Sequence, residues 1–192
     1  MNIKKKLSYY CILSSIFCII LGTLLHFTYE WFNLNKFVGF FSATNESTWE
    51  HLKLIFFPMV FSTLIAYYVF GHNISNFICS RSIGIFSAIC FIIIFFYTYT
   101  GVIGQNFALI NILSFIIAVI IGEYISYTLI TSNFRCKSSF YLFLLLFLLI
   151  CFIIFSYYPP KINLFKDPLT GSFSTFFSQF SKNFILCIIL QT

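Results

Sequence analysis

Apolar residues run along this chain in long stretches with few polar interruptions, not in the alternating patterns of half-buried helices or strands. Five of them, roughly 7–28, 52–70, 82–100, 107–130 and 138–157, suffice to cross about 30 Å of hydrocarbon at about 1.5 Å per helical residue. Pro159 and Pro160 end the fifth, since neither supplies a helical N–H. The pattern therefore predicts an all-α fold, a polytopic membrane helix bundle of five transmembrane helices. A sixth follows if the C-terminal tail also spans. Residues 1–172 form one helical domain in this reading. The tail 173–192, whose apolar "FILCIILQT" is short and preceded by Lys182, is expected to lie at the interface.

Composition sharpens that expectation. The chain is 60% hydrophobic and 8% charged, against about 25% charged residues in soluble domains. A protein of 192 residues cannot hide that much apolar surface inside a polar shell, so the lipid bilayer is the expected surrounding. The net charge of +6 does not imply nucleic acid, because the basic residues are spread thinly and gather on no face. The start, "MNIKKKLSYYCILSSIFCIILGTLLHF", resembles a signal peptide, but its apolar stretch is too long and no small-x-small cleavage site follows. It is expected to be a retained first helix. The seven cysteines form no CxxC pair, and most fall inside apolar runs, so no disulfide framework is expected.

Orientation follows from the basic residues. With the N-terminus in the cytoplasm, Lys4, Lys5, Lys6, Arg81, Arg135 and Lys137 lie on the inner side without an acid among them. The polar stretches 26–31, 45–51, 97–106 and 159–171 then gather on the outer side of a cell membrane. That convergence is the main functional signal of the sequence.

Within those stretches, His26 and Glu30 are four residues apart and share a helix face. Glu46 and Glu50 repeat the spacing, with His51 adjacent. Imidazoles and carboxylates brought together suit a divalent metal or general acid–base chemistry. A structural alternative stands beside this: Ser47-Thr48-Trp49-Glu50 has the form of a capping box, in which Ser47 caps a helix and Glu50 reaches back to its N–H. Asn45, Tyr97, Tyr99 and Asp167 are candidates for substrate contact. For the tyrosines the alternative is an interfacial aromatic belt, and for Asp167 a simple turn. Glu123 stands apart within the fourth span, either packing between helices or relaying a cation or proton.

The blocks "LHFTYEW", "FSATNESTWEHLKLIFFPM", "YTYTGVIGQN" and "YYPPKINLFKDPLTG" resemble those of an uncharacterised family of small multi-pass membrane proteins from low-GC Gram-positive bacteria, over about residues 15–173. The resemblance implies that the polar blocks act as one unit and implies no activity. Three functions fit the residues. The first is a membrane hydrolase using the outward-facing His, Glu and Asn side chains on a lipid or amphipathic substrate. The second is a transporter or binding protein for a cation or small solute, with Glu123 on its path. The third is a non-catalytic partner subunit.

Overall fold

The computed structural model describes residues 3–132 and 134–173. The described chain forms α1 (Ile3–Trp31), a short α2 (Lys36–Gly39), α3 (Thr48–Val69), α4 (Phe77–Ile103), α5 (Ala108–Thr131) and α6 (Ser138–Tyr157). All but α2 are long and apolar enough to cross a membrane. The five expected spans are present, each within a few residues of its expected limits except α4, which begins five residues earlier. Beyond residue 173, the expected interfacial tail lies outside the described residues.

Helices α1, α3, α4 and α5 close a ring in which each packs on the next, and α6 lies against α3 and α4. The bundle is apolar on its outside. Leu109 on α5 and Phe143 and Phe147 on α6 are exposed, whereas the two largest fully buried side chains are cations, Arg81 and Lys53. The chain begins at what we call the proximal end, and α1 finishes at the distal end.

Two close approaches hold the ring. Pro58 sits inside α3, so the carbonyl of Leu54 receives no helical N–H from it. Gly22 on α1 packs against that carbonyl: a Cβ at Gly22 would lie 2.5 Å from Leu54 O and 2.6 Å from the Phe115 ring. Helices α4 and α5 meet similarly through Gly84 and Gly122, where a Cβ on Gly84 would lie 2.4 Å from the Gly122 carbonyl. Small residues at both contacts let backbones touch.

The second approach brings Arg81 onto Glu123. The guanidinium donates to both carboxylate oxygens, at 2.5 and 2.8 Å, and through Nε to Thr63 Oγ1 at 3.0 Å. Ser14 donates to Glu123 at 2.7 Å and is hydrogen-bonded to Ser62, which also bonds the Tyr10 hydroxyl at 3.0 Å. Arg81 lies over the Tyr10 ring, 5.3 Å from its centroid. This corrects the expected place of Arg81 in an inner connection: it is fully buried one turn inside α4. Glu123 is a helix-packing carboxylate, already paired.

A second correction concerns the cysteines, because Cys79 and Cys136 are joined in a disulfide. They lie 57 residues apart, and only the folding of α5 back along α4 brings them together, so no short spacing announced the pair.

Removing one partner of a buried ion pair strands the other charge, at a cost of about 3–5 kcal/mol. Glu123→Ala is therefore expected to lower thermal stability in detergent sharply. The double variant Arg81→Leu/Glu123→Leu, which strands neither charge, is expected to lose much less.

Candidate metal centre

The polar blocks 26–31 and 45–51 meet at the distal end. His26, Glu46 and His51 each offer a ligand atom, and these atoms lie within 4.8 Å of one another. His51 Nε2 is 3.5 Å from one Glu46 oxygen, and His26 Nε2 is 3.9 Å from the other. The imidazole centroids are 5.2 Å apart. All three side chains are partly open, from 29% exposed at His26 to 43% at Glu46.

Local structure sets each of them. On α1, His26 is one turn beyond Gly22, so the close approach to α3 carries it toward His51. The hydroxyl of Ser42 accepts from the Tyr29 N–H at 3.0 Å and donates to the Leu25 carbonyl. Those two groups would pair with each other in a regular helix, so Ser42 is stitched into the turn that bears His26. His26 Nδ1 is buried with no hydrogen-bond partner among the described residues, and its ring is placed by contacts with Phe27 and His51.

Ser47 caps α3, its hydroxyl accepting from the Glu50 N–H. The Ser47 carbonyl is 2.9 Å from His51 Nδ1. A carbonyl only accepts, so Nδ1 carries the proton and Nε2 keeps its lone pair toward Glu46. This is how proteins commonly orient a metal-binding histidine. Asn45 Oδ1 accepts from the Ser47 N–H at 2.9 Å, closing the turn from which Glu46 projects.

Glu50 has a different setting. Its carboxylate is 2.5 Å from Lys53 Nζ and accepts from the backbone and hydroxyl of Thr44, each at 2.9 Å. Ser156 on α6 donates to its other oxygen at 2.9 Å. Lys53 also donates to the Gly39 carbonyl at 2.8 Å and to Ser156 at 3.0 Å. Only half of the capping box forms, because the Glu50 carboxylate faces this buried network and not the Ser47 N–H. Glu50 and Lys53 thus hold the 39–44 segment and α6 against α3, which fixes the turn carrying Glu46.

Of the remaining sequence candidates, Glu30 adjoins the cluster, its charge acting on His26, and the others lie apart from it. Glu30 is exposed, one turn beyond His26. Tyr97 is partly exposed near the end of α4. The Tyr99 hydroxyl is in hydrogen-bond range of Asn106 and Asn111, which ties it to the α4–α5 turn. Asp167 is buried and accepts from Leu169 and Thr170 within its own turn. The preceding segment covers Trp49 through Phe165, ring centroids 4.8 Å apart. Trp49 is about 200° around α3 from His51. Ser42, Lys53, Ser156 and Gly22 were not among the sequence candidates. Lys53 and Ser156 were visible as polar residues inside apolar runs.

The two glutamates are expected to separate on substitution. Glu46→Gln should leave thermal stability within about 0.5 kcal/mol of wild type, as at other open surface positions. Glu50→Gln, which leaves Lys53 as an uncompensated buried charge, should cost about 3–5 kcal/mol in the same melt.

No curated protein and no solved structure matches the chain significantly. The model of a family described as of unknown function, DUF6512, matches residues 1–175, taking in all five long helices, the His–Glu cluster and both buried ion pairs. The chain belongs to the DUF6512 family.

Proposed function

We propose that the protein is a membrane-embedded, metal-dependent hydrolase whose centre is formed by His26, Glu46 and His51. The observation that carries the reading is the convergence of two imidazoles and one carboxylate, from separate elements, within 4.8 Å. Two histidines and a glutamate are a donor set that suits zinc and leave one tetrahedral position open for water or substrate. Zinc held by His26, Glu46 and His51 would supply an acidified water as the attacking group. Glu30, one turn along the same face of α1, is our candidate for proton transfer.

An amphipathic substrate fits the surroundings. Phe27 and Trp31 are exposed, stacked with ring centroids 5.9 Å apart, and Phe27 touches the His26 ring. Apolar chains can lie along these rings while a polar group enters the cluster. With the basic proximal end in the cytoplasm, the centre faces the outer leaflet of a bacterial cell membrane. Transport has less support. Between the cluster and Glu123 the interior is lined by Cys18, Ile55, Met59 and Val119, and Glu123 is engaged by Arg81.

Elemental analysis of detergent-purified protein tests the centre. About one zinc per chain is expected in wild type, retained in Glu30→Gln and lost in His26→Ala and Glu46→Ala. Gly22→Ala, which pushes α1 away from α3, is expected to weaken zinc binding while leaving every ligand in place. A folded wild-type protein that takes up no divalent metal would overturn the proposal. With zinc present, turnover of lipid esters and phosphoesters identifies the substrate, and loss of turnover without loss of zinc in Glu30→Gln marks the proton-transfer group.

A further inference from the structure

At the proximal end, Cys79 in the first turn of α4 is bonded to Cys136 in the α5–α6 connection, with Cα atoms 6.5 Å apart. More than the sulfurs holds these segments together. Asn76 Nδ2 donates to the carbonyls of Leu129 and Phe134 at 2.9 and 3.2 Å. Ser138 donates to the Ser75 carbonyl at 3.4 Å. These contacts do not depend on the disulfide, so the two thiols stay within reach when it is open. The sulfurs are unequally placed: Cys79 is fully buried and Cys136 is half-buried. A reductant meets Cys136 first. Its thiolate is an anion, and exposed Arg135 and Lys137 flank the sulfur that it attacks.

The same end carries Lys4, Lys5 and Lys6, and neither the first six residues nor the connections 70–76 and 132–137 contain Asp or Glu. In the orientation adopted above, on which this inference rests, that end faces the cytoplasm. Thiols are kept reduced there, and disulfides in that compartment are transient. We propose that Cys79 and Cys136 form a reversible thiol–disulfide pair on the cytoplasmic face, closed by a disulfide oxidant and opened by a dithiol reductant of the thioredoxin class.

Opening is a two-electron exchange. A thiolate of the reductant attacks Cys136 Sγ, the Cys79–Cys136 bond breaks, and Cys79 leaves as a thiolate that takes up a proton. The second thiol of the reductant, losing its proton, then displaces Cys136 from the mixed disulfide, and the reductant departs as its own disulfide. Closure runs the other way, with Cys136 attacking the oxidant and Cys79 displacing it. The closed form fastens the first turn of α4, two residues before Arg81, to the segment that leads into α6.

Acid-quenched cells producing the full chain provide the test. Free thiols are alkylated, disulfides are then reduced, and the released thiols are counted with a mass tag. Wild type is expected to be largely untagged at rest, to gain two tags within minutes of diamide and to lose them on recovery. Peptide mass spectrometry should place the link between Cys79 and Cys136, and Cys79→Ser and Cys136→Ser should gain neither tag. A pair fully oxidised at rest and unchanged on recovery would overturn the proposal and mark a permanent crosslink. Thiols that stay reduced under diamide would overturn it as well. The wild-type readings decide even if a variant fails to accumulate, and none of them depends on metal, so the hydrolase proposal stands or falls separately.

Discussion

The pairing of Arg81 with Glu123 is the constraint to which the rest of the bundle conforms. A guanidinium buried completely is tolerable only when its charge is met and its N–H groups are used. Glu123 takes two of those N–H groups and Thr63 a third, while Ser14 fills the remaining reach of the carboxylate. One ion pair therefore specifies the mutual positions of α1, α3, α4 and α5. The contact through Gly84 and Gly122 is what allows the pair to form, because Arg81 lies one turn before Gly84 and Glu123 directly follows Gly122.

Helix α1 carries that order from one end of the protein to the other. Tyr10, Ser14, Cys18, Gly22 and His26 recur every four residues along its inward face. Tyr10 and Ser14 join the buried charge network, Cys18 and Gly22 cross the apolar middle, and His26 reaches the distal cluster. The cluster is therefore set in register by packing about 18 Å below it, at about 1.5 Å per residue. At its own level it is held by Ser42 and by the Glu50–Lys53 network, neither of which offers a ligand.

Much of this was legible in the sequence. The spans follow from the length of apolar runs, which hydrocarbon thickness dictates, and the gathering of polar blocks at one end follows from alternating helix direction. Within the candidate set, His26, Glu46 and His51 come together in space. What stayed hidden depends on partners distant in the chain. Arg81 resembles the basic residues that end membrane helices, and its burial is decided by a carboxylate on the next helix. Glu50 carries a local capping signature, and its pairing with Lys53 three residues on was legible, but Thr44 and the distant Ser156 draw its carboxylate into a buried network. The four-residue spacing along α1 was present in the sequence, but Ser8, Ser15 and Thr23 off that face blur it.

Both ion pairs are short in topology, and this bears on how the protein is made. Glu50 and Lys53 are three residues apart on one helix, and Arg81 and Glu123 belong to one helical hairpin. Helices that enter a bilayer singly with such charges exposed to lipid each meet a cost of about 2.5–3.5 kcal/mol per central charge. Here each charge has its partner within the same helix or the next one to emerge from the ribosome. Matching Arg81 with Glu123 thus requires α4 and α5 alone, and Glu50 meets Lys53 within α3, so α6 adds only the neutral hydroxyl of Ser156 to charges already paired without it.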